Sequence, residues 1–270
     1  MKDSIGFIGA GNMCQAIVEG WIARGLATPS ELYVSNRSEG KLRKISEQFK
    51  VNACSTNEDL VDQCRVVIIA VKPQDLEAAI EPIASSFDAD QIVISLAAGI
   101  PLSRLKKLLP QCKHLVRMMA NTPARIMKGT FGYCTPSNDL LVDRFMDRMF
   151  KPLGFTTRLD EGEPFEAFAV ATSAGVGFVF ELMIYWQEWL EERGLDPGDA
   201  QAMTVHTFLG AAELALKSAP QNLEELQAKV TSKKGITAAG LESMRELEIE
   251  RLLRYSFEKS ALRDRELSRG

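Results

Sequence analysis

The chain has 270 residues, of which 46% are hydrophobic and 25% charged, with a formal net charge of -4 at pH 7. That length holds two domains or one large α/β unit, and the mildly acidic balance offers no overall attraction to nucleic acid or to an anionic membrane. Met1-Lys2-Asp3 runs straight into an apolar strand without a leader pattern, and no stretch reads as a bilayer-spanning run; the expected compartment is the cytosol, with no membrane partner.

From the N-terminus, apolar runs alternate with amphipathic stretches, the rhythm of a Rossmann-type, mostly parallel α/β sheet covered on both faces. Strands are predicted at Ile5–Ile8, Leu32–Ser35, Val66–Ala70, Ile92–Leu96 and Leu115–Met118, with Gly132–Cys134 and Gly154–Leu159 extending the sheet edge. Helices are predicted to begin near Asn12, Ser38, Asn57, Gln74, Pro101 and Ser137, several of them marked by Ser, Asn or Pro start signals.

The first strand breaks into Gly9-Ala10-Gly11 and opens a helix at Asn12-Met13-Cys14. Gly9 permits the tight turn, Gly11 lets backbone approach a pyrophosphate, and the first helical amides face its charge, so a dinucleotide is expected here. The second strand ends Ser35-Asn36-Arg37-Ser38, with no carboxylate to accept bonds from a ribose 2′-hydroxyl and with an arginine suited to a 2′-phosphate. NADP(H) is therefore preferred, with NAD(H) as the alternative. Further strands deliver Val71-Lys72-Pro73, the small residues around Ala97, and Asn121-Thr122-Pro123 to the same edge, leaving room for a flat ring.

After Asp160 the character changes to helix throughout, giving a boundary between residues 1–160 and an all-helical 161–270. One segment is expected from Phe165 to Glu192 with an interruption at Ala174–Gly177, a second from Asp199 to Lys217, a third from Leu223, and a last from Ile236 into Arg263. Their Leu-, Met- and Phe-rich faces read as core or subunit contact. Ahead of the last helix, Ser232-Lys233-Lys234-Gly235-Ile236-Thr237 offers free amides and a hydroxyl suited to a small carboxylate. The five cysteines are odd in number and never spaced Cys-x-x-Cys, which speaks against a disulfide framework or a zinc site, so no metal is expected. His114 and His206 read as structural.

Taken together, Gly-Phe-Ile-Gly-Ala-Gly-Asn-Met from Gly6, Ala-Val-Lys-Pro-Gln from Ala70, Ser-Leu-Ala-Ala-Gly-Ile from Ser95, Asn-Thr-Pro from Asn121 and Gly-Ala-Ala from Gly210 make the chain resemble the pyrroline-5-carboxylate reductases over essentially its whole length. The resemblance implies an NAD(P)H-dependent oxidoreductase acting on C=N, reducing the cyclic imine 1-pyrroline-5-carboxylate to L-proline. It implies a Rossmann domain at 1–160 and a substrate-binding, dimerising helical domain at 161–270, in a homodimer or larger homo-oligomer. Gly9, Gly11, Asn12 and Met13 would hold the pyrophosphate, Ser35, Asn36 and Arg37 the adenosine end, and Asn57 a ribose. Val71, Lys72, Pro73, Ala97 and Asn121 would line the nicotinamide side. Ser232, Gly235 and Ile236 would hold the substrate carboxylate, with the Thr237 hydroxyl catalytic beside the ring nitrogen.

Three departures stand out: Lys234 replaces a usual glycine, Thr172–Gly177 replaces a usual Ser-Gly-Ser-Gly-Pro-Ala, and Ala120 replaces a proline. They leave a reductase of another cyclic imine, or a non-catalytic NADP-binding paralogue, as the alternatives. A β-hydroxyacid dehydrogenase would need a lysine between Phe165 and Glu192, where there is none.

Overall fold

A computed structural model of the chain describes residues 4–136 and 138–269. The described residues up to Ala174, joined by those from Ser260 onward, form one compact unit, and Gly175–Lys259 form a second.

In the first unit, β1 (Ile5–Ile8) turns at Gly9 into α1 (Asn12–Arg24). β2 (Leu32–Ser35), α2 (Glu39–Phe49) and a two-residue strand β3 (Asn52–Ala53) follow, the last too short to leave a periodic signal in the sequence. Next come α3 (Asn57–Gln63), β4 (Val66–Ile69), a 3-10 turn Pro73–Asp75, α4 (Leu76–Ile80), β5 (Ile92–Ser95) and α5 (Leu102–Leu108). The helix expected from Gln74 is thus split, because Pro73 and Pro82 each start a tighter 3-10 turn on either side of α4.

The sheet edge is built by β6 (His114–Ala120), β7 (Gly129–Cys134) and β8 (Gly154–Arg158), with α6 (Leu140–Met149) between the last two. β6 and β7 are both longer than expected: their antiparallel pairing runs on to Ala120 and Phe131, and β8 holds Gly129 and Thr130 in the ladder. Ser137, where a helix start was expected, lies outside the described residues; α6 itself is capped by Asp139, whose carboxylate accepts from the amides of Leu141 and Val142. His114 hydrogen-bonds the same carboxylate through Nδ1, a structural role.

The strand order is β3-β2-β1-β4-β5-β6-β7-β8, parallel except for the antiparallel β6–β7 pair. The order reverses between β1 and β4, which opens a crevice at the carboxyl ends of those two strands. Against one face of the sheet Phe7, Trp21, Phe150 and Phe131 form a chain of rings with centroids 5.6, 5.4 and 5.2 Å apart, and the Trp21 indole donates to the Met149 carbonyl at 2.6 Å. Fully buried side chains of this size each contribute about 1.5–3 kcal/mol, so this stack fixes α1, and with it the turn at its start. The five cysteines are all buried and unlinked.

Beyond β8, α7 (Glu163–Phe168) passes through a π-helical turn (Ala169–Ala174) into α8 (Gly175–Glu192). The break expected at Ala174–Gly177 is displaced: the widened turn lies ahead of it and shares only Ala174, while Gly175–Gly177 are regular helix at the start of α8. Side chains on the π-turn reach the sheet: Ser173 Oγ donates to the Ala120 carbonyl at 3.0 Å, while Asn121 Nδ2 donates to the Thr172 carbonyl at 3.1 Å. Glu163–Glu192 is also long and apolar enough to cross a membrane by length and composition alone, which corrects the expectation that no stretch reaches that size.

The second unit continues from α8 through Gly194 into α9 (Pro197–Lys217), α10 (Leu223–Lys229) and α11 (Ile236–Glu246). α12 (Ile249–Arg269) follows, and its final residues from Ser260 belong with the first unit. The single last helix expected from Ile236 is divided at Leu247–Glu248, where Glu248 turns left-handed at φ 51°. Trp186 meets Phe208 edge-on at 5.3 Å, joining α8 to α9.

Candidate functional site

The crevice at the β1–β4 switch point opens into a cavity of about 750 Å³. Its wall includes Gly9 and Gly11 from the first turn, Ser35, Asn36, Arg37, Ser38 and Lys41 after β2, Asn57 from α3, and Val71, Lys72, Gln74 and Asp75 after β4. Most of the cofactor residues expected from the sequence thus share one wall.

Gly9 has φ +112°, and a Cβ there would stand 2.8 Å from the Ala70 carbonyl oxygen, so both conformation and space require glycine. Its amide donates to the Ser35 carbonyl at 2.9 Å, tying the turn to β2. Beyond it, α1 has no side-chain cap on its first turn, so its leading amides, including those of Asn12 and Met13, are open to an anion. Those features fit a pyrophosphate laid across the turn.

Two polar residues prove to build the wall as well as line it. Asn36 Oδ1 accepts from the Ala10 amide at 3.1 Å and its Nδ2 donates to the Ser38 carbonyl at 3.0 Å, so this side chain shapes both adjoining loops. Asn57 accepts from Ser35 Oγ at 2.7 Å and donates to the Ala79 carbonyl at 3.3 Å, bracing the end of β2. Arg37, by contrast, is 91% exposed at its side chain and makes a loose 3.7 Å pair with Asp75. Lys41, which sequence reasoning passed over, stands on the same wall; its spacing four residues after Arg37, at a helix start, was the signal available.

Pro73, Ala97 and Asn121 lie along the same sheet edge outside that wall. Ala97 is buried, leaving only its small methyl at the edge after β5. The Asn121 side chain is spent within the fold, donating to Thr130 Oγ1 at 2.8 Å as well as to Thr172 and accepting from the Thr130 amide at 2.9 Å.

Ser232, Gly235, Ile236 and Thr237 belong to the second unit. Lys234 sits at φ 59°, in the left-handed region that glycine adopts more readily, and the Gly235 amide closes the turn on the Ser232 carbonyl at 3.0 Å. A Cβ on Gly235 would fall 2.2 Å from Ser232 Oγ, so glycine is needed for that hydroxyl to sit against the helix start. α11 begins at Ile236 without a side-chain cap, Ile236 is 94% exposed, and the Thr237 hydroxyl is in its exposed first turn.

Comparison with known proteins agrees at three levels. A family model described as "NADP oxidoreductase coenzyme F420-dependent" matches residues 4–99, and one described as "Pyrroline-5-carboxylate reductase dimerisation" matches residues 163–267. The pyrroline-5-carboxylate reductase of Pseudomonas aeruginosa is 30% identical over 98% of this chain and 96% of its own length, and that of Haemophilus influenzae is 32% identical over 88% and 87%. Among solved structures, a pyrroline-5-carboxylate reductase from Coxiella burnetii superposes with a TM-score of 0.89 at 29% identity, covering 99% of each chain.

Proposed function

The chain belongs to the pyrroline-5-carboxylate reductase family, and from that membership we propose that it reduces 1-pyrroline-5-carboxylate to L-proline with NADPH. The observation that carries the cofactor half is the cavity at the β1–β4 crevice, with a glycine turn and open helix amides at its base and Arg37 and Lys41 on its rim. Bound NADPH would supply the hydride. Gly9, Gly11, Asn12 and Met13 hold its pyrophosphate, and Arg37, with Ser35 and Lys41 beside it, favours the 2′-phosphate over the bare hydroxyl of NADH. Asn36 and Asn57 hold the adenosine pocket in shape. Val71, Lys72, Pro73, Ala97 and Asn121 set the nicotinamide side, Asn121 through its backbone because its side chain is engaged elsewhere.

On the substrate side, the Ile236 amide and the Ser232 hydroxyl receive the carboxylate, Gly235 shapes that loop with its own amide on the Ser232 carbonyl, and the Thr237 hydroxyl holds or relays the proton at the ring nitrogen. A protonated imine is already electrophilic, so orientation supplies most of the rate and no strong side-chain acid is needed. The apolar faces of α8 and α9 are assigned to a homodimer or larger homo-oligomer, and the five unlinked cysteines fit a reducing compartment, the cytosol.

The test is NADPH oxidation with 1-pyrroline-5-carboxylate and its six-membered homologue side by side. Turnover of the five-membered ring in preference is expected; turnover of neither, or preference for the larger ring, counts against this reading. Thr237→Val is expected to lower kcat roughly 100-fold while NADPH affinity stays within about twofold, and an unchanged rate would remove Thr237 from the chemistry.

A further inference from the structure

Buried in β6, Arg117 stands beside Ser95, the last residue of β5, at 6% exposure, and belongs to neither the cavity wall nor the carboxylate loop. Its guanidinium reaches Glu161 at 3.1 Å and Asp264, in the last turns of α12, at 3.9 Å, while its carbon lies 4.3 Å over the Phe165 ring. Glu161 accepts from the amide of Leu102, the first residue of α5, at 2.8 Å, and the Gly99 amide faces the Asp264 carboxylate, which it helps to hold in its charged form. Gly99 is itself left-handed at φ 70°, so the turn between β5 and α5 is bonded at its far end by one carboxylate and faced at Gly99 by another, the two sharing one cation.

We propose that Arg117, Glu161 and Asp264 form a clamp through which the end of the C-terminal helix positions the Ala97–Gly99 turn for hydride transfer. The inference rests on the reading above, in which Ala97 lines the nicotinamide side. Arg117 and its carboxylates are positioning residues, acting on the reaction only through that turn.

Stability alone does not account for the arrangement. Burial pushes the Asp264 carboxyl above the ordinary carboxylate range; Arg117 and the Gly99 amide oppose the rise and Glu166 adds to it. Arg117 Nε is buried without a hydrogen-bond partner as well. A cluster that costs the fold to charge and to bury is not an optimised staple. What it does provide is a fixed distance between the last turns of α12 and the turn after β5, set by two carboxylates on one planar fork.

Asp264→Ala and Asp264→Asn separate the two roles, because Asn keeps an oxygen for the Gly99 amide and Ala does not. With Asp264→Ala, kcat is expected to fall about tenfold while the NADPH KM stays within about twofold, since a small displacement at a reacting centre acts on turnover. Asp264→Asn is expected to recover most of that loss, and amide hydrogen exchange at Gly99 should be fast in the alanine variant and slow in the asparagine one. If both variants turn over like wild type, or if both lose activity only in proportion to a lowered melting temperature, the clamp is overturned. Should wild type reduce neither imine, the functional reading fails instead, and the clamp is judged on exchange alone: unchanged exchange at Gly99 in Asp264→Ala refutes it.

Discussion

In the function proposed above, cofactor choice turns chiefly on Arg37. It is almost wholly in solvent, and its 3.7 Å approach to Asp75 is a surface pair worth little in itself, so the guanidinium is free to turn toward a phosphate dianion. A charge-assisted bond to that phosphate contributes about 1.5–3 kcal/mol, so Arg37→Ala is expected to raise the NADPH KM roughly tenfold or more. The NADH KM should change by no more than about twofold, because NADH has no phosphate to lose. Equal losses with both cofactors would show that Arg37 acts on the pocket's shape. The arginine was legible in the sequence because the end of the second strand of such a sheet has a defined task. Its partner Lys41 and opponent Asp75 were not, since only the fold brings α2 and the turn after β4 to one wall. Asn36, Asn57 and Asn121 show the same limit from the other side. Asn36 and Asn57 stand on the cavity wall and Asn121 on the sheet edge outside it, and the use of all three as braces depends on atoms up to 51 residues away in sequence.

At the scale of elements, strands came through nearly to the residue where apolar runs are bounded by turns, as in Ile5–Ile8 and Leu32–Ser35. Helices were misjudged where one residue adopts a conformation its type disfavours. Glu248 breaks the last helix in left-handed geometry, where a sequence reader looks for glycine or asparagine. Lys50 ends α2 in the same way at φ 58°, its amide donating to the Ser46 carbonyl at 2.8 Å, whereas α1 ends on the left-handed Gly25. A left-handed L-residue costs about 1–2 kcal/mol, while glycine gives back roughly 0.5–1 kcal/mol through its freer unfolded state. Lys50→Gly is therefore expected to stabilise the first unit by about 0.5–1 kcal/mol, seen as a higher urea midpoint at unchanged slope. The side chain is exposed, so no packing is lost, and a lower midpoint would mean that Lys50 makes a contribution its backbone geometry does not reveal.

For the molecule as a whole, the second unit poses a problem that one chain does not solve. α8 exposes Phe180, Ile184, Trp186 and Trp189, and α9 exposes Val205, Leu209 and Leu214, at 42–58% of their surfaces. Phe180 and Ile184 are one helical turn apart, as are Val205 and Leu209, so these are stripes and not scattered residues. A lipid bilayer could cover the apolar helix by composition, but the same residues fall within the stretch matched by the dimerisation model, and a second copy of the chain covers them without requiring α9 to enter lipid. Each such side chain buried at an interface is worth about 1.5–3 kcal/mol, and a two-fold axis counts it twice. Glutamate at Ile184 and Leu209 together removes that gain and adds buried charge, so Ile184→Glu/Leu209→Glu is expected to sediment as a monomer where the parent chain sediments as a dimer or larger. Because the cavity proposed for the dinucleotide is lined only by residues up to Ala79, the monomer should still bind NADPH. Imine reduction should fall with the loss of assembly, since the carboxylate loop belongs to the unit whose apolar faces have been disrupted. A double variant that stayed assembled would place the subunit contact elsewhere on the helices, and one that was monomeric and fully active would show that each chain carries a complete site.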